Sequence, residues 1–227
     1  MKRLFLLPLL ILLSKPILAE EIKVGKRSIK ISSIDGFCLL DPSIETESEI
    51  LKRIQENLSP NSHLVSVLPL CSTLKDYRAY ISSTFSKLFT SPPNIEVYFQ
   101  TLTPKISLDH KQQDKERSII DNVCSAMSKN PAMITPQTLA NKEIELTFLT
   151  NLKSNETATL GLLRKTKNTC YFGALKNHGK SQRVDLIIGA PQILDGLSVI
   201  HYFVSPYTGF EEINKSVEKL QEFITTQ

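Results

Sequence analysis

Residues 184–204 read VDLIIGAPQILDGLSVIHYFV. Two apolar runs of strand length lie within them, Val184 to Ile188 and Leu197 to Val204. Working backwards, Cys170 to Leu175 and Thr157 to Leu163 are runs of the same kind, with Lys167-Asn168 as a hairpin-like reversal between them. Gly179 marks a turn before Val184, and Asn155 one before Thr157. Ile144, Leu146 and Phe148 alternate with Glu143, Glu145 and Thr147, a period of two that predicts a further strand. Strands joined by turns this short run antiparallel. Residues 143–204 therefore read as a β-meander of about five strands.

After the meander, Phe210, Ile213, Val217, Leu220 and Ile224 recur at helical spacing with Glu and Lys opposite, and Thr208 and Glu211 have capping-box spacing. Ahead of it, Ile29 and Ile31 predict a half-buried strand. Asp41-Pro42 reads as a helix start, with Thr46 and Glu49 as a second capping box and Ile44, Leu51, Ile54 and Leu58 on one face. Leu64 to Leu70 reads as a buried strand with Pro69 near an edge. Ser72 then caps a predicted helix carrying Leu74, Tyr77, Ile81 and Phe85. Ile95, Val97 and Phe99 alternate with Glu96 and Tyr98 as another strand. Ile119, Ile120, Val123, Ala126 and Met127 form the face of a helix ended by Asn130-Pro131, and Pro131 to Lys142 reads as a surface loop. A sheet and helices with apolar stripes must bury them against each other. The expected fold is α+β, an antiparallel meander sheet packed against three to four helices, the C-terminal amphipathic helix among them. Residues 20–227 form one domain, since no repeat or composition break divides them.

Residues 1–19 have the parts of a secretory signal. Lys2 and Arg3 precede the apolar run Leu4 to Leu13, Lys15 and Pro16 break it, and Ile17-Leu18-Ala19 offers a cleavage site before Glu20. The run is too short to span a bilayer core of ~30 Å as a helix. The mature chain is then expected to hold about 208 residues, with no stable membrane anchor after cleavage. The full chain has 27 Lys+Arg against 23 Asp+Glu, a net +4. Without Lys2, Arg3 and Lys15 the balance is 24 against 23, which argues against nucleic acid as a partner.

Cys38, Cys71, Cys124 and Cys170 are an even set in an export-ready chain, a pattern that favours disulfides. Three pairings exist and spacing alone does not choose among them. Cys38 precedes the first predicted helix and Cys71 ends the next predicted strand, which makes Cys38 with Cys71 the first pairing to test, leaving Cys124 with Cys170. The alternative is four buried thiols. No close cysteine pair has zinc-site spacing, so neither a metal nor another cofactor is expected.

No catalytic constellation stands out. Residues 174–181, ALKNHGKS, fit a relaxed phosphate-loop pattern, but Gln182 to Gly189 reads as a strand where that loop needs a helix. His63, His110, His178 and His201 include no i, i+4 pair; Asp109-His110 reads as solvated and His201 as a sheet histidine. No nucleophile elbow is present. Glu47 with Glu49, and Glu211 with Glu212, sit at predicted helix starts, where the macrodipole accounts for them. Asn155-Glu156-Thr157 and Asn214-Lys215-Ser216 are sequons that matter only in a eukaryotic secretory route. Arg164, Lys165, Lys167, Lys176, Lys180 and Arg183 cluster on the meander with no acid between Glu156 and Asp185. They read first as an exposed sheet edge guarded by lysine. The second reading is a surface for an anionic partner, acidic headgroups or a protein's acidic patch.

Gly36-Phe37-Cys38-Leu39-Leu40-Asp41 with Cys71, and Val184-Asp185-Leu186-Ile187-Ile188 with Asp195-Gly196, Tyr202 and Tyr207, resemble small exported proteins of alphaproteobacteria whose function is uncharacterised. The element order also resembles the PsbP-like α/β/α sandwich. The first resemblance implies a periplasmic or secreted bacterial protein with Cys38 bonded to Cys71, and carries no catalytic residue. The expected function is therefore a non-enzymatic binding or interaction protein of a Gram-negative bacterium, kept in the periplasm or released towards a host as an effector. Its partner is an unknown protein and its oligomeric state is open. The rivals are a hydrolase with an unrecognised site, which needs a cleft of convergent polar groups, and a carrier holding a small apolar ligand between sheet and helices.

Overall fold

The computed structural model describes residues 19–25, 27–83, 90–105, 113–129, 131–179 and 183–227. Residues 1–18 of the expected signal 1–19, and Phe85, Asp109, His110, Asn130 and Lys180, lie outside them. Among the described residues eight strands and six helices run in the order β1 (Ala19–Val24), β2 (Arg27–Ser32), α1 (Glu45–Glu56), β3 (Ser62–Pro69), α2 (Cys71–Ser82), β4 (Tyr98–Pro104), α3 (Gln113–Lys129), α4 (Pro136–Leu139), α5 (Lys142–Asn151), β5 (Thr157–Lys165), β6 (Cys170–Asn177), β7 (Val184–Leu194), β8 (Leu197–Pro206) and α6 (Glu211–Thr226). The fold is mixed α+β with antiparallel pairing throughout, as expected. It has more helices than the expected three to four.

The main sheet has the order β3-β4-β8-β7-β6-β5. β5 to β8 are the meander, each strand beside its successor. The β7–β8 turn is Asp195-Gly196, with φ of 49° and 74°, the left-handed pair that a two-residue hairpin needs and that Gly supplies without strain. The expected strand at Glu143–Phe148 is instead helix α5. Asn141 caps it, its Oδ1 accepting from the Glu143 and Ile144 N–H groups. Ile144 and Leu146 are 44% and 69% exposed, while Phe148, Leu149 and Leu152 pack into the core. The side chains that reach the core therefore have helical spacing, which outweighs the alternation upstream.

Other boundaries also move. Asp41 makes a turn, its Oδ1 accepting from the Ser43 N–H and hydroxyl, and α1 starts only at Glu45. These two bonds hold the Asp41 carboxyl below its ordinary pKa. Neither expected capping box forms at α1 or α6, whose N-cap residues Ile44 and Phe210 make no side-chain cap bond. Cys71 opens α2 rather than closing β3, and Leu70, not Ser72, is the N-cap. β4 begins at Tyr98, three residues later than the alternation predicts. The expected loop after Pro131 contains α4, capped by Thr135.

Both faces of the main sheet are covered. On one, α6 packs on β7 and β8, burying Ile213, Val217, Leu220 and Phe223. Phe223 stacks on Phe99 at 4.4 Å, and Phe99 lies 4.7 Å from Phe37 and 4.8 Å from Phe203. These rings pack in the layer between α6 and the sheet. The β1–β2 ribbon joins this face: Arg27 donates to the Gly196 carbonyl at 2.6 Å, and Gln227 exchanges two hydrogen bonds with the Ser32 backbone. On the opposite face, α1 packs on β3, and α3 lies across β5, β7 and β8. Disulfides Cys38–Cys71 and Cys124–Cys170 both form, leaving no free cysteine.

One buried polar chain crosses the α6-side core. His201 is fully buried, with Nδ1 2.9 Å from the Thr101 hydroxyl and Nε2 2.9 Å from Gln192 Oε1, and its ring edge meets Phe223. Burial drives its pKa down to about 3, so it folds as neutral imidazole. The unfolded chain binds a proton below an ordinary pKa near 6.5 that the folded chain refuses. Stability is thus full above pH about 6.5 and falls as pH drops towards 3, by up to about 1.4 kcal/mol per pH unit. Urea midpoints across this range should decline more steeply for the wild type than for His201→Asn. Parallel curves would show that the imidazole does not set the slope.

Candidate functional site

The predicted basic cluster is divided by the fold. Arg164 turns to the α6 side and donates to Gln221 Oε1 at 2.9 Å. Arg183 is held by acids: Nε lies 2.8 Å from Asp185 Oδ1, and Nη1 donates to Glu96 Oε1 at 2.6 Å. Asp185, almost wholly buried, also meets His178 Nε2 at 2.7 Å. A buried carboxylate needs such partners, and this one has them from both sides of its hairpin. Burial, and after it the Asp185 charge, push the nearby Tyr98 phenol up. Among the described residues no hydroxyl or thiol is hydrogen-bonded to His178, and every cysteine is in a disulfide. Lys176 pairs in register with Thr157 and Asp185 on neighbouring strands.

Lys165 and Lys167 have a different setting. They stand where β5 turns into β6, and Lys165 is directly opposite Cys170. Cys170 is bonded to Cys124 of α3, with Cα atoms 5.8 Å apart, so the helix is fastened beside the hairpin. A surface cavity of about 670 Å³ opens between the two. Its less exposed lining includes the apolar Ile120, Cys124 and Ile193, which pack with Cys170 and Leu162, beside Thr169 and Gln192. One wall carries Lys165 and Lys167. The other is a stripe of α3, Arg117, Asp121, Ser125 and Lys129, spaced four apart and all exposed. Residues four apart share a helix face. The groove therefore holds four cations against one acid, and none of the four is in a salt bridge among the described residues.

The Thr166–Thr169 turn is fixed by its own bonds: Thr166 N–H and hydroxyl both reach the Thr169 carbonyl, and the Thr169 hydroxyl donates to the Pro191 carbonyl. Lys167 thus projects from a rigid support. Sequence reasoning found the two lysines and the two cysteines, but not Arg117 and Lys129. Their four-residue spacing with Asp121 and Ser125 is the signal that was present. Only the Cys124–Cys170 bond shows that this stripe faces the hairpin.

These features define a class: an α+β fold whose helices flank an antiparallel sheet and which carries two disulfides, bonds that persist in oxidising compartments. No described helix is long and apolar enough to cross a membrane. Comparison with known families, curated proteins and solved structures found no match.

Proposed function

We propose that the chain is an exported, non-enzymatic interaction protein of a Gram-negative bacterium, acting in the periplasm or after secretion, and that its partner is anionic. The observation that carries this is the groove over the Cys124–Cys170 bond, which four cations and a single acid, Asp121, line together with the apolar Ile120 and Ile193. An unneutralised, concave set of charges favours a partner of opposite sign. The disulfides support export, because such bonds persist outside the reducing cytosol. The signal-like residues 1–19 supply the route.

Fractionation of a tagged chain, with and without residues 1–19, tests the route. The full chain is expected outside the cytosol, shortened at its N-terminus and resistant to thiol labelling. Cross-linking of the exported protein followed by mass spectrometry tests the role, with one reproducible partner expected. Full-length protein retained in the cytosol with reduced cysteines would sink the first claim, and a defined hydrolytic turnover the second.

A further inference from the structure

The geometry points to an extended acidic peptide segment of a partner protein as the occupant of this groove, with acidic side chains alternating with apolar ones. The inference rests on the interaction-protein reading and names the chemistry of its partner. Arg117 and Lys129 are twelve residues apart on one helix, which separates them by about 18 Å along its axis. An extended chain advances about 3.3 Å per residue, so five or six residues span the groove. In such a chain successive side chains point opposite ways. Bound on edge, it can send one set down to Ile120 and Ile193 and keep the other near the cationic walls.

The shape also separates this occupant from a lipid surface. A bilayer is broad, and meets a flat or convex basic face. Here the cations stand on both sides of a cleft, with Lys165 and Lys167 across from Arg117 and Lys129. The apolar lining is the less exposed part, where a narrow chain reaches and a headgroup layer does not. Among the described residues no aromatic side chain lines the groove to offer a stacking surface for a base or sugar ring. Charge and apolar lining together favour alternating Glu/Asp and apolar residues.

A fluorescent peptide of three Glu-Leu repeats is the probe, with three Gln-Leu repeats as control, titrated onto the full chain with both disulfides formed. The acidic peptide should bind at least about tenfold more tightly than the neutral one, and ionic strength of about 1 M, where screening acts within ~3 Å, should remove the difference. The double reversal Lys165→Glu/Lys167→Glu, and separately Arg117→Glu, should each weaken binding about tenfold or more. Lys176→Glu lies outside the groove and should leave affinity unchanged. Unaltered thermal unfolding of these variants confirms that folding is intact, as the exposure of Arg117, Lys165 and Lys167 implies. Equal binding of both peptides, or affinity indifferent to the groove reversals, overturns the proposal. So does tighter, groove-dependent binding to phosphatidylserine vesicles than to the peptide. A cross-linked partner retained by the groove variants would overturn this site alone and leave the interaction-protein reading standing. Hydrolytic turnover without any partner would overturn that reading itself.

Discussion

Replacing both Cys124 and Cys170 by serine should lower the unfolding free energy by about 4 kcal/mol, because the bond closes a loop across 46 residues. For a chain of this size that corresponds to a fall of about 10 °C in Tm. The effect should be concentrated in α3. Among the described residues, the buried members of the cluster beneath it are Ile120 and the two cysteines, with Leu162 and Ile193 half-covered. Without the cross-link that small contact must hold the helix unaided, while two serine hydroxyls are placed where sulfur was buried. Hydrogen exchange of α3 amides should accelerate more than that of β7 and β8. Binding of the acidic peptide should weaken with it, since one cationic wall is then no longer fixed opposite the other. A double serine variant within about 1 kcal/mol of wild type, with α3 still protected, would show that packing alone positions the helix.

The second large effect is expected at Arg78, a residue with a half-exposed side chain. Glu47 is fully buried, and its carboxylate accepts from Arg78 Nε at 2.6 Å, from Arg78 Nη2 at 3.1 Å and from the Asp41 N–H at 2.8 Å. This one side chain ties α1, α2 and the turn before α1 together. Arg78→Ala removes the cation and leaves the carboxylate buried with a single backbone donor. Breaking one side of such a pair costs about 3 kcal/mol or more. Adding Glu47→Leu in the same chain should restore part of the loss, because an apolar side chain then joins Ile50, Leu51 and Ile54 over Leu40 and Leu74. The double variant should therefore be more stable than Arg78→Ala alone, as measured by urea unfolding. If Arg78→Ala costs less than about 1 kcal/mol, the pair behaves as an ordinary surface bridge and the argument fails.

Glu47 also shows where sequence reading reached and where it stopped. A carboxylate in the first helical turn is sufficiently explained by the macrodipole, and nothing in the local sequence says that it points inward. Position 47 falls on the same stripe as Ile50, Leu51 and Ile54, so the periodicity was complete but one of its members was charged. The cation that makes this tolerable is 31 residues away. Helix α5 is the converse case. Its first half alternates like a strand, and only the contacts of Phe148, Leu149 and Leu152 reveal the helical face. The basic cluster followed the same pattern: six neighbours in sequence include two that meet in the groove, one spent on Gln221 and one on Asp185 and Glu96.

By itself the sequence determined what depends on neighbours along the chain. The meander from β5 to β8, the amphipathic α6, the position of β2 and β3, and an even set of cysteines all rest on period, turn residues and count. Tertiary structure decided what depends on distance through space. Which acid is buried, which cations converge, and which helix is fastened to which strand follow from pairings separated by tens of residues. Side-chain charge is a local property, but its environment is set by whichever surface the fold brings against it.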